Sequence, residues 1–178
     1  MNMEINDFIE RFSDTTENRS KAIFNTIFIV GNRLQTIFDQ HIPEITLKQF
    51  MLLSMVKNTQ KPLTFTKIGE LLGCSRQNIK KLAKILAQKG FIVIDKNPED
   101  RRKACIYPTA KTDRYFKETF FVYQKELKYL FEVYTEEEIQ TLFTLLMKLY
   151  DGTEHLAKNA GSVCGYSELP ERKDGVNG

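Results

Sequence analysis

CSRQNIKKLAKILAQKGFIVIDKNPEDRRK, residues 74–103, reads as a capped cationic helix that feeds a hairpin with an arginine-rich tip. Ser75 is placed to cap that helix, because its hydroxyl can accept a bond from an orphan amide of the first turn, and Gly90 supplies a left-handed stop after Lys89. Inside it, Ile79, Leu82, Ala83 and Leu86 recur at i, i+3, i+4 and i+7 as one apolar face, while Arg76, Lys80 and Lys84 line a neighbouring face. Like charges one turn apart repel by about a few tenths of a kcal/mol per pair, so a partner that neutralises them relieves a built-in repulsion. A polyanion fits. A charge run taken alone reads equally as a solvated helix face, so the neighbouring sequence has to decide.

Upstream, Thr64 to Gly73 carries Ile68, Leu71 and Leu72 as an apolar stripe, with Thr64 as a cap and Gly73 as a C-terminal stop. Two short helices meeting at Gly73-Cys74 have the helix-turn-helix spacing, in which the first helix braces the second across the major groove of duplex DNA. Gln77 and Asn78 then stand in the first turn of the second helix, and their amides can make the paired donor–acceptor contact that an adenine edge accepts. Ser75, Arg76, Lys80, Lys81 and Lys103 are expected mainly to hold phosphates and register, with guanine also within the reach of Ser75 and Arg76.

After Gly90 the period becomes extended: Phe91 to Ile94 is a β-rich run and Ala104 to Tyr107 its return strand. Asn97-Pro98-Glu99-Asp100 between them is a turn sequence, followed directly by Arg101, Arg102 and Lys103. Three cations at a hairpin tip suit a narrow, electronegative minor groove, with Asp100 expected to brace the tip by pairing with one arginine. The alternative for this tip is a solvated turn.

The segment from about Leu47 to Thr109 resembles the winged helix-turn-helix core of the MarR (multiple antibiotic resistance regulator) family: helix, helix, recognition helix, Gly, strand, Asp-Pro-x-Asp-Arg-Arg tip, strand, Leu-Thr, long helix. Here the tip stands as Asn97-Pro98-Glu99-Asp100-Arg101-Arg102, the recognition helix as Ser75 to Lys89, and the last signature as Pro108-Thr109. Three positions depart from the pattern, Asn97 for aspartate, Pro108 for leucine and Thr112 for the glycine that opens the next helix, and they bear on turn detail and helix entry. The resemblance implies a mainly α fold with a small β-hairpin wing, a cytoplasmic homodimer on a pseudo-palindromic operator, and release by a small phenolic effector or by oxidation.

Charge is distributed accordingly. Of a net +3, residues 61–103 carry eleven Lys and Arg against four Asp and Glu, a net of +7, which leaves −4 for the rest of the chain. Attraction to phosphate is the sequence-independent part of nucleic-acid binding, so this region is expected to set affinity and salt dependence. The 178 residues, 42% hydrophobic, suffice for a sizeable core.

Flanking segments carry helical seams: Ile23, Ile27, Val30, Leu34 and Ile37, then Phe116, Phe120, Tyr123, Leu127, Leu130 and Tyr134, then Ile139, Leu142, Leu146 and Leu149 behind a capping box at Thr135-Glu136-Glu137-Glu138. Any one stripe reads first as intramolecular core. Three long helices exceed what a small reading head needs, which favours burial between two subunits. The expected organisation is an N-terminal dimerisation helix (1–44), a winged helix-turn-helix region (45–108), C-terminal dimerisation helices (109–158) and a disordered tail (159–178) rich in Gly and Ser. Neither a membrane span nor a signal peptide is legible.

Cys74, Cys105 and Cys164 are too few and scattered for a disulfide scaffold. Cys74, at the mouth of the recognition helix, is the one thiol whose oxidation would disturb the cationic face, so a redox-sensing regulator is one alternative. A winged-helix module that binds protein is another. The stretch Arg76 to Lys89 holds no aromatic residue, which speaks against a stacking platform for single strands. His41 and His155 lie far apart and show no metal-ligand spacing, and the sequence shows no phosphate loop or nucleophile elbow, so neither a metal, a cofactor nor an enzymatic activity is expected.

Overall fold

The computed structural model describes residues 5–59, 61–97 and 100–160, so the expected tail lies almost wholly outside the described residues. The chain divides into two compact units, Met1–Gln124 and Lys125–Gly178. The first begins with α1 (Ile5–Phe12) and α2 (Thr16–His41). The sequence reading set the apolar seam Ile23 to Ile37 on a helix within residues 1–44, and α2 carries it. The chain breaks before α2 at Ser13 to Thr15, where the Asp14 carboxylate accepts from the Thr15 N–H at 2.8 Å and Thr15 caps α2 by accepting from the Asn18 N–H. Such local side-chain bonds compete with continued helix.

The reading head follows: α3 (Leu47–Asn58), β1 (Leu63–Thr64), α4 (Phe65–Leu72), α5 (Arg76–Gln88), β2 (Ile92–Lys96), β3 (Ala104–Pro108) and α6 (Ala110–Tyr115). Thr46 opens α3 with a reciprocal capping box to Gln49, and Thr64 caps α4. Gly73 and Gly90 hold φ of 62° and 76°, the left-handed turns expected of them. The core lies here, with Leu52, Leu53, Ile68, Ile79, Ala83, Leu86, Phe91 and Ile106 fully buried against one another. The apolar face read from α5 is thus the face that packs.

The sheet has three antiparallel strands in the order β1-β3-β2. The wing pair is in register from Ile92↔Pro108 to Lys96↔Ala104. The third strand is absent from the sequence reading, since its two residues, paired Leu63↔Ile106 and Thr64↔Cys105, are too short to show a period.

The stripe read as one helix from Thr109 onward is α6, a π-helical segment (Phe116–Phe120) and α7 (Phe121–Phe131). The backbone widens where the aromatic residues gather: Phe50 lies 5.5 Å from Phe116 and stacks on Phe120 at 4.8 Å, and Phe38 meets Tyr123 edge-on at 4.7 Å. The second unit contains the end of α7 and α8 (Glu136–Asn159), which Thr135 and Glu138 open with the expected capping box.

Candidate nucleic-acid interface

Ser75 accepts the Asn78 N–H at 3.2 Å and so fixes the first turn of α5. At about 100° per residue, the residues opposite buried Ile79, Ala83 and Leu86 are Gln77, Lys81, Lys84 and Gln88, with Arg76 and Lys80 on one flank and Asn78 on the other. All seven are exposed. The helix therefore gathers Ser75, Arg76, Gln77, Asn78, Lys80 and Lys81 on one solvent-facing surface, and it adds Lys84 and Gln88, which the sequence reading left out of its candidate contacts. Among the described residues none forms an ion pair with Arg76, Lys80, Lys81 or Lys84, whereas Lys57, Lys103 and Lys111 are all paired.

Arg101, Arg102 and Lys103 stand at the far end of the hairpin and are exposed. Pro98 and Glu99 fall outside the described residues, and the turn is closed by Asn97 N–H to the Lys103 carbonyl at 2.8 Å and Lys103 N–H to the Asp100 carbonyl at 2.9 Å. Asp100 does brace the tip, but by other partners than expected. Its carboxylate accepts the Arg102 backbone N–H at 3.1 Å and pairs with the Lys103 ammonium at 3.3 Å, contacts that hold its carboxyl below the usual carboxylate range. The Arg101 and Arg102 side chains stay free of ion pairs among the described residues.

Gly69 was passed over in the sequence reading, although a lone glycine inside a helical pattern is itself a signal. The turn between α4 and α5 closes on it: the Cys74 N–H donates to the Gly69 carbonyl at 2.8 Å, and a Cβ on Gly69 would lie 2.6 Å from the Cys74 carbonyl oxygen. Alanine would favour the helix by about 1 kcal/mol, but a clash with backbone is expected to outweigh that, with a net cost of about 1–3 kcal/mol. Gly69→Ala should therefore lower the urea midpoint and weaken duplex binding together. An unchanged midpoint would mean the turn can yield. Cys74 itself is half-buried, its thiol 3.5 Å from the Leu72 carbonyl.

Residues 45–104 match the MarR family. An uncharacterized HTH-type transcriptional regulator of Bacillus subtilis (strain 168), YcgE, is 28% identical over 96 residues, 54% of this chain. The chain thus spans 62% of the length of that curated relative. Among solved structures, a MarR/EmrR family transcriptional regulator from Acinetobacter sp. ADP1 is similar at 21% identity, covering 76% of this chain and 97% of that one with a TM-score of 0.68. The S. aureus MepR–DNA complex is similar at 19% identity, 72% of this chain and 96% of that one, with a TM-score of 0.64. At such identities the likeness speaks for the fold. The architecture is a winged helix-turn-helix, and residues 45–104 within it are similar to the MarR family.

Proposed function

We propose that the protein is a sequence-specific, double-stranded DNA-binding transcriptional regulator that acts as a homodimer on a pseudo-palindromic operator. The observation that carries this is the outward face of α5: several cations that form no ion pair among the described residues, beside two exposed amides in the first turn, on a helix whose other face is anchored in the core. Exposed cations on one face suit phosphates, and Gln77 and Asn78 suit base edges. Arg101 and Arg102 would enter the adjacent minor groove, with Lys103 already partly neutralised by Asp100.

The dimer is supported by apolar faces that a single chain leaves in solvent. On α2, Ile23, Phe24 and Phe28 are each more than half exposed, and on α8 Phe143, Leu145 and Tyr150 are likewise. Exposed apolar side chains of this kind, with Phe24 and Phe28 in edge-on contact at 5.0 Å, suit a surface that a second subunit covers. Repression is the sign of regulation we favour, and release by a small-molecule effector is carried over from the family resemblance. A location in the cytoplasm follows from the same reading, and among the described residues no helix is long and apolar enough to cross a membrane.

Sedimentation should give a species near twice 20.7 kDa. Selection from a random-sequence duplex library should enrich two half-sites about one helical turn apart. A monomer that still binds its selected duplex would overturn the dimer, and a library that yields no enriched sequence would overturn DNA reading.

A further inference from the structure

The C-terminal end of α5 is held by residues from outside the helix-turn-helix. The Lys89 carbonyl accepts the Lys111 ammonium at 3.1 Å. That same ammonium lies 2.7 Å from the Glu44 carboxylate and 4.2 Å from the centre of the Phe91 ring. Lys89 in turn donates from its own ammonium to the Glu44 backbone carbonyl. Among the described residues Glu44 is the non-glycine with left-handed backbone, φ 70°, a conformation that persists where surrounding contacts hold it. Thr109, the residue before α6, directs its hydroxyl to the Gly90 and Phe91 carbonyls, at 2.7 and 2.9 Å, and that side chain makes no cap bond to α6. Buried Thr112 donates to the same Phe91 carbonyl.

We propose that Glu44, Lys89 and Lys111 form a clasp that sets the tilt of α5, which makes Glu44 and Lys111 positioning residues for base recognition. This rests on the DNA-reading function above. Apolar contact through Ile79, Ala83 and Leu86 fixes how deeply α5 sits, but it is non-directional. The clasp supplies directional bonds at the end remote from Gln77 and Asn78. It joins three elements: the α2–α3 connection at Glu44, the end of α5 at Lys89, and α6 at Lys111. A cation suits that place, because the carbonyl end of a helix is its negative end. A thirteen-residue helix is about 20 Å long, so a shift of roughly 2 Å at Lys89 would swing it by roughly 6°, enough to misalign paired amide–base contacts. As a half-exposed ion pair, Glu44–Lys111 contributes little to stability, and its consequence is geometric.

The test uses the full chain and a duplex that the parent selects from a random-sequence library, with a scrambled duplex as comparator. Glu44→Gln removes a negative charge and Lys111→Met a positive one, so simple electrostatics would move non-specific affinity in opposite directions. Both should instead lower the ratio of selected to scrambled affinity by about fivefold, leave the melting temperature nearly unchanged, and combine in the double variant without further loss. Lys111→Arg, which keeps the charge, should retain most of the ratio. In the free protein, amide hydrogen exchange in the last turn of α5 should speed up in Lys111→Met. Ratios within about twofold of the parent in both single variants, or unchanged exchange, would overturn the clasp while leaving DNA reading intact. A parent that enriches no duplex would overturn both.

Discussion

Phe91→Ala is expected to lower the unfolding free energy by about 3–5 kcal/mol, the range for removing a fully buried aromatic side chain. Phe91 is the first residue after the left-handed turn at Gly90, and its ring is wholly buried. It meets Tyr115 edge-on at 5.3 Å and lies under the Lys111 ammonium. Its carbonyl accepts from the Thr109 N–H, the Thr109 hydroxyl and the Thr112 hydroxyl. The substitution would leave a cavity among α5, the wing and α6, with partners fixed by those bonds and unable to collapse into it. Tyr115, whose buried hydroxyl has no hydrogen-bond partner among the described residues and whose pKa burial pushes upward, would face that void. Phe91→Leu, closer in volume, should cost less than half as much. Urea unfolding with unchanged m-value would measure both, and a loss for the alanine variant below about 1 kcal/mol would mean the site repacks.

The features legible in the sequence are those written in local chemistry. Thr64, Ser75 and Thr135 accept the amides their positions imply, and Gly73 and Gly90 take the left-handed conformation that stops a helix. Each depends on a handful of adjacent residues, and the spacing of Ile79, Ala83 and Leu86 carries the packing face in the same way. What stayed illegible depends on residues distant in sequence. β1 exists only because β3, some forty residues on, offers an edge to Leu63 and Thr64. The π-helical turn at Phe116–Phe120 coincides with Phe50 from α3, which no pattern within residues 109–134 could announce. Asp100 was expected to meet an arginine side chain, but a backbone N–H two residues away and the flexible Lys103 are nearer partners within so tight a turn. Glu44 carries no mark of left-handed backbone, and its partners Lys89 and Lys111 lie far along the chain.

Asn78→Ala and Gln77→Ala are each expected to weaken binding to the selected duplex by about 1–3 kcal/mol and binding to scrambled duplex hardly at all, because a paired amide–base contact carries sequence information and little else. Both side chains are exposed in the first turn of α5, and the cap that orders that turn runs through the Asn78 backbone N–H, which alanine keeps. The loss would therefore report the amide and not the helix. Lys80→Ala and Lys81→Ala should act differently: both duplexes weaken alike, and the slope of log affinity against log salt falls by about one for each phosphate contact removed. Arg101→Ala and Arg102→Ala should fall between, with a larger loss on A·T-rich flanks, where a narrow minor groove concentrates negative potential. A stability control separates these outcomes from unfolding, since all six side chains are exposed and none packs in the core. If every variant binds every duplex as the parent does, α5 is not the recognition helix, and its cationic face serves an acidic protein partner instead.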